Sequence, residues 1–211
     1  MGVKERRERE KTEIRERILD AARELFLTEG YEGVSMRKVA DRIEYSPTAI
    51  YLYFTDKDDL FRELCHTDFA ALAEQLSVLA RHPDPVERIR QTGLAYIQFG
   101  FRYPNHYKLM FMTPHPPAKL DERDCEVKGN PEKDAYAMLR YLVQQAIDAG
   151  VFRDEYCDAE LVSQTLWAGV HGVISLQIAK SSDEWVEWEP LEKRAETMTD
   201  VLLRGFLKEG R

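Results

Sequence analysis

Apolar residues recur at three- and four-residue steps along almost the whole chain, and no segment alternates at the two-residue period of a strand. Ile14, Ile18, Ala22, Leu25 and Phe26 mark the inner stripe of a first helix, which Gly30 is placed to end by taking a left-handed backbone. Ser35 can cap a short second helix with Met36, Val39, Ala40 and Ile43 on one face. After a turn at Glu44 and Tyr45, Ser46 suits an N-cap and Pro47 a first helical position, so a third helix starts there. Ile50 and Phe54, four apart, would pack that helix onto the first two, leaving Ala49 to face outward.

Beyond residue 57 the period stays helical, and its breaks fall where proline or glycine gather. The pattern predicts helices over about 57–80, closed by His82-Pro83-Asp84-Pro85, and 86–103, stopped by Pro104, then a short one through Phe111. Residues 113–131 hold Pro114, Pro116, Pro117, Gly129 and Pro131 among charges and predict a long mobile loop. Three further helices fit 131–149, 159–180 and 190–208. The expected class is all-α, with an N-terminal three-helix head over residues 1–57 joined to a larger helical bundle over 58–211.

A short helix, a tight turn and a further helix match the helix-turn-helix motif, whose second helix enters the major groove of DNA. The residues around that helix strengthen the match: Ser46, Thr48, Tyr51, Tyr53 and Lys57 supply the hydroxyl and ammonium donors that hold phosphates. The segment from Ile18 to Leu64 resembles the DNA-binding head of the TetR family of bacterial transcriptional regulators. That family ends its recognition helix with an aromatic doublet spaced by one residue, then a phenylalanine and a lysine; here these are Tyr51, Tyr53, Phe54 and Lys57. The resemblance implies that Tyr51, Tyr53 and Lys57 grip phosphates, that Arg37 reaches DNA, and that Ser46, Pro47, Thr48 and Leu52 line the groove. Glu44 departs from the family pattern by standing where glycine is usual, as do Tyr45, in place of a small aliphatic residue, and Ala49, where a hydroxyl is common.

A second resemblance lies in Trp167-Ala168-Gly169-Val170-His171-Gly172 together with the run from Tyr103 to Phe111. These look like the WHG-type ligand domain of one TetR branch, which dimerises and encloses a small-molecule pocket. By that resemblance Tyr96, Phe99, Tyr107, Phe111, Trp167 and His171 are pocket candidates, with plain core packing as the alternative for each. Gly169 and Gly172, inside a helix where each costs about 1 kcal/mol relative to alanine, point to close helix approach or a ligand wall. Leu161, Val162, Leu166, Trp167, Val170, Val173, Ile174, Leu176 and Ile178 surround much of their helix, as expected of one buried on several sides, and a homodimer follows. The expected partners are an operator duplex, a second copy of the chain and a small-molecule effector; the usual sense in the family is a repressor released by its ligand.

The net charge of −8 is unusual for a chain that approaches phosphate. Within residues 1–17, however, seven cations face five glutamates, leaving −10 for the remainder, so the tip is basic and the body acidic. That N-terminal run fits either a helix extension laced by four-apart ion pairs or an arm that touches DNA. Neither a signal peptide nor a long apolar run is present, which predicts a cytoplasmic protein with no membrane association. Cys65, Cys125 and Cys157 are scattered and odd in number, unlike a zinc site or a disulfide scaffold, and a thiol-sensing regulator is a minor alternative. Glu63-x-x-His66 has the spacing of half a helical di-iron site, but no second copy exists. With no phosphate-cradling glycine loop or serine elbow either, no cofactor, metal or enzymatic activity is expected. A helical interaction module with a retired DNA head would have lost the tyrosines and the lysine, and all are present.

Overall fold

A computed structural model describes residues 2–77, 82–115 and 122–209 and contains ten helices among them, with no strand beyond an isolated bridge between Phe152 and Leu207. The helices are α1 (Val3–Gly33), α2 (Met36–Arg42), α3 (Pro47–Ile50), α4 (Lys57–Ser77), α5 (Pro85–Arg102), α6 (Pro104–Phe111), α7 (Glu122–Val127), α8 (Ala135–Asp148), α9 (Ala159–Lys180) and α10 (Leu191–Phe206). They divide into two compact units, Met1–Asp68 with Asn105–Lys119, and Phe69–Pro104 with Leu120–Arg211. The cut falls inside α4 rather than at residue 57, and most of α6 joins the first unit.

In the first unit α1 buries Ile18, Ala22, Leu25 and Phe26 against Val39, Ala40, Ile50, Phe54, Leu60 and Leu64, with Leu109 of α6 completing the same core. Gly30 has φ +71, the left-handed backbone expected there, but helical hydrogen bonding resumes past it to Gly33. The helix begins at Val3, so the charged N-terminal run is helical throughout. Ser35 caps α2 through the Lys38 amide and Ser46 caps α3 through the Ala49 amide, each hydroxyl accepting one of the orphan donors of a first turn. Beneath this core, Arg23 on α1 pairs with Asp68 on α4 at 2.6 Å. His106 on α6 meets the same carboxylate oxygen at 2.8 Å, which ties three helices through one buried acid.

The second unit packs α5, α8, α9 and α10 around Ile89, Met138, Leu142, Val143, Val162, Leu166, Leu203 and Phe206. Asp84, Asp134 and Asp158 cap α5, α8 and α9. Asp134 places the start of α8 at Ala135 instead of residue 131. The loop expected over 113–131 is interrupted by α7, whose first turn carries Glu122 and Asp124, carboxylates that favour a helix N-terminus. Residues 78–81 and 116–121, including the expected helix end at Ala80 and both Pro116 and Pro117, lie outside the described residues. Gly169 lies close against α10: a Cβ there would stand 2.3 Å from Leu202 Cδ1, so the leucine side chain would have to shift to admit it. Gly172 is different, because a Cβ there would meet nothing within 4 Å.

No described helix is long and apolar enough to cross a membrane.

Candidate functional site

The short α3 and the turn that follows it sit on the head by burying Ile50 and Phe54, and this leaves their other side in solvent. Ser46, Pro47 and Thr48 are exposed at its N-terminal end, Tyr51 is 54 % exposed and Leu52 79 %. Two large apolar side chains so far out of a core suggest a surface that something else covers. Arg37, on the neighbouring α2, is exposed as well, whereas Ala49 is half-buried. The two tyrosines part company: Tyr51 faces solvent and Tyr53 is half-buried against the core.

Lys57 has a structural task. Its Nζ donates to the Tyr31 carbonyl at 3.0 Å and lies 4.2 Å from the centre of the Tyr31 ring, and the Tyr31 hydroxyl in turn donates to Asp58. Burial and that carboxylate push the Tyr31 phenol far up, so it stays a protonated donor. The lysine thus ties the start of α4 to the end of α1, with hydrogens remaining on the ammonium for a phosphate. The other cations near α3 are also engaged. Arg42 pairs with Glu24 at 2.7 Å, and Lys38 donates to the Gly33 carbonyl at 2.8 Å. Arg17 donates to the Ile43 carbonyl at 3.3 Å while lying over the Tyr45 ring. Of Lys38, Arg42 and Arg37, only Arg37 projects without an ion pair among the described residues.

Four of the six ligand candidates belong to the second unit. Trp167 Nε1 donates to the Tyr96 hydroxyl at 3.0 Å, and that hydroxyl lies 3.1 Å from His171 Nδ1. Because an indole nitrogen can only donate, the Tyr96 oxygen accepts from it and its own hydrogen is directed at Nδ1. That assigns the ring proton of a neutral His171 to Nε2, and burial lowers the His171 pKa in the same sense. Phe99 is buried nearby on α5, its ring 5.4 Å from Tyr103. Tyr107 and Phe111 belong to the first unit, where Tyr107 is fully buried and the two rings meet at 4.9 Å.

The sequence pattern did not single out Tyr136, whose ring lies 5.7 Å from that of Trp167 and whose hydroxyl donates to Glu160 at 2.5 Å. Burial and the carboxylate raise the phenol's pKa, and the same hydrogen bond lowers that of Glu160. An open groove of about 550 Å³ in the first unit is lined by Leu25, Leu27, Thr28 and Lys108, and none of the six candidates borders it. Glu63, half of the carboxylate–histidine spacing, is paired with Arg15. Cys65 is half-buried and desolvation pushes its thiol up to about 12, which removes it as a reactive thiolate; Cys125 and Cys157 are exposed and free.

Comparison with known proteins gives two family matches. Residues 18–64 match bacterial regulatory proteins of the tetR family, and residues 89–202 match the tetracyclin repressor-like C-terminal domain. The HTH-type transcriptional repressor AcnR of Corynebacterium diphtheriae is 40 % identical over 60 residues, 28 % of this chain and 32 % of that protein. The HTH-type transcriptional regulator AcrR of Shigella flexneri is 34 % identical over 84 residues, 39 % of each chain. These alignments span only about a third of either relative. Over nearly the whole length, a TetR family transcription regulator from Marinobacter aquaeolei superposes with a TM-score of 0.73 at 16 % identity, covering 96 % of this chain and all of that one. A Rhodococcus protein of unknown function superposes at 0.71 and 21 % identity, covering 92 % and 95 %. With the C-terminal model alone matching more than half of its 211 residues and the head matching besides, the chain belongs to the TetR family of bacterial regulators.

Proposed function

We propose that this protein is a transcriptional regulator that binds a palindromic operator as a homodimer through α2 and α3 and is released from it by a small molecule. The observation that carries the reading is the solvent-facing side of α3 and the turn after it, where Ser46, Pro47, Thr48, Tyr51 and Leu52 stand exposed, with Arg37 exposed on α2, on a segment held from behind by Ile50 and Phe54. Hydroxyls and a guanidinium around an apolar tip are the groups that hold phosphates and touch thymine methyls in the major groove. Lys57 positions the segment after α3 from its bond to Tyr31 and adds a phosphate contact.

A two-fold partner is supported by the outer side of α9. Leu161, Thr165, Ala168, Gly172 and Leu176 follow one another at three- and four-residue steps and are all exposed or half-exposed. Small residues flanked by leucines let a second helix approach closely, and a two-fold axis would pair the two recognition helices on a palindrome. The effector pocket is assigned to the Tyr96, Trp167 and His171 group with Phe99 beside it, where apolar rings surround a few convergent polar atoms. A ligand there releases DNA only in so far as it prefers one arrangement of the heads, and bound DNA weakens the ligand reciprocally.

The test is selection of duplexes from a random pool by the purified ligand-free protein, with affinity for the selected duplex followed against salt. A palindromic consensus with a steep salt dependence supports the proposal. No enrichment at low salt overturns it and leaves an interaction module with a retired head.

A further inference from the structure

The N-terminal part of α1 extends beyond the fold. From Gly2 to Glu13 every residue whose side chain is described is exposed, and the core begins at Ile14. A helical segment of this length is marginal in water on its own, even with the Arg6–Glu10 pair at 2.8 Å and the looser Arg9–Glu13 pair at 3.6 Å. Its remaining cations are not scattered. Lys4, Arg7, Lys11, Ile14 and Ile18 follow at steps of three, four, three and four, so they form one stripe. The face of α1 that packs the head therefore continues outward with its chemistry changed from apolar to cationic. All three cations are exposed, and none takes an ion pair among the described residues.

The direction of that face is set by its neighbours. Arg15, beside the stripe, lies over the Phe54 ring at 5.4 Å, and Arg17 reaches the Ile43 carbonyl and the Tyr45 ring. Phe54 follows α3 and the segment from Ile43 to Tyr45 precedes it, so the stripe leaves the head on the side that carries α3. Eleven residues of helix reach about 16 Å, the length of roughly five base pairs.

We propose that Lys4, Arg7 and Lys11 grip the phosphate backbone of the duplex just outside the half-site read by α3. This rests on the operator reading above and adds a second contact surface to it. In a chain of net charge −8, three cations on one exposed helical stripe are well placed to meet a polyanion that the acidic remainder of the chain repels.

The experiment compares the wild type with a K4Q/R7Q/K11Q variant, using the duplex that the wild type selects from a random pool and the same duplex trimmed by about five base pairs at each end. Each phosphate contact contributes about 0.9 to the slope of log affinity against log salt, so a dimer that loses six should have a slope shallower by roughly five. The wild type should bind the trimmed duplex more weakly, and the variant should bind both lengths alike. Because the substituted residues touch no core, the variant should keep the wild-type melting temperature; a second variant lacking residues 2–12 should reproduce its binding. Wild-type affinity and slope in both variants would overturn the proposal while the operator reading stands. A wild type that selects no duplex removes both.

Discussion

Glu44 is the only non-glycine residue among those described with a left-handed backbone, at φ +62, and it occupies the turn that joins α2 to α3. A side chain there costs about 1–2 kcal/mol, part of which glycine recovers at the expense of a more flexible unfolded chain. Glu44→Gly should therefore raise stability to denaturant by about 0.5–1 kcal/mol, whereas Glu44→Ala should not; equal effects of the two would show that the carboxylate, not the backbone, is at issue. The glycine usual at this position in the family thus has a physical reason, and this chain departs from it at a cost. His171 gives a second test. Its pKa is lowered by burial from an ordinary value near 6.5, so the unfolded chain binds the proton more readily than the folded one. The stability from a neutral His171 is fully present above about pH 6.5 and is lost as the pH falls below that value. His171→Asn should flatten the pH dependence of the melting temperature between about 7 and 5. An unchanged acid slope would mean that the imidazole does not titrate against the fold.

At the scale of elements, the Arg23–Asp68–His106 group joins α1, α4 and α6 through a carboxylate that is 1 % exposed. Removing one member of a buried ion pair leaves the other charge uncompensated, so Asp68→Ala should cost about 3–5 kcal/mol in equilibrium unfolding. A loss below 1 kcal/mol would show that water replaces the carboxylate freely. Asp68 stands four residues from both Leu64 and Leu72, and a charge inside an apolar stripe is the one sign of this group that the sequence carries. Much else was legible in it. The caps at Ser35 and Ser46 and the left-handed Gly30 follow from local rules that act within a few residues, whereas the exposure of Tyr51 and Leu52 was legible only through the family resemblance. What escaped depends on partners distant in the chain, with Lys57 turned toward Tyr31 and Tyr136 joined to Glu160, or, for α7, on first-turn carboxylates set among prolines. The aromatic group was legible by resemblance, but not its division, which leaves Tyr107 and Phe111 in the unit that carries α3.

For the whole molecule, the outer stripe of α9 makes a prediction that separates assembly from folding. A Cβ at position 172 would meet nothing within 4 Å among the described residues, so Gly172→Leu should leave the monomer's fold and helix content unchanged. If two such stripes face each other, the same change should raise the dimer dissociation constant by at least tenfold, read by sedimentation at several concentrations. A variant that remains dimeric at wild-type strength would place the two-fold contact elsewhere.

The first compact unit is not continuous in sequence: residues up to Asp68 are completed by Asn105–Lys119, which brings Leu109 into the core and His106 to Asp68. A hybrid made by joining the N-terminal segment to the C-terminal part of a relative at residue 57 or 68 would leave α6 behind, and with it a wall of the first unit's own interior. The piece that can be exchanged between relatives without opening a cavity is therefore defined by two cuts in the gene rather than one.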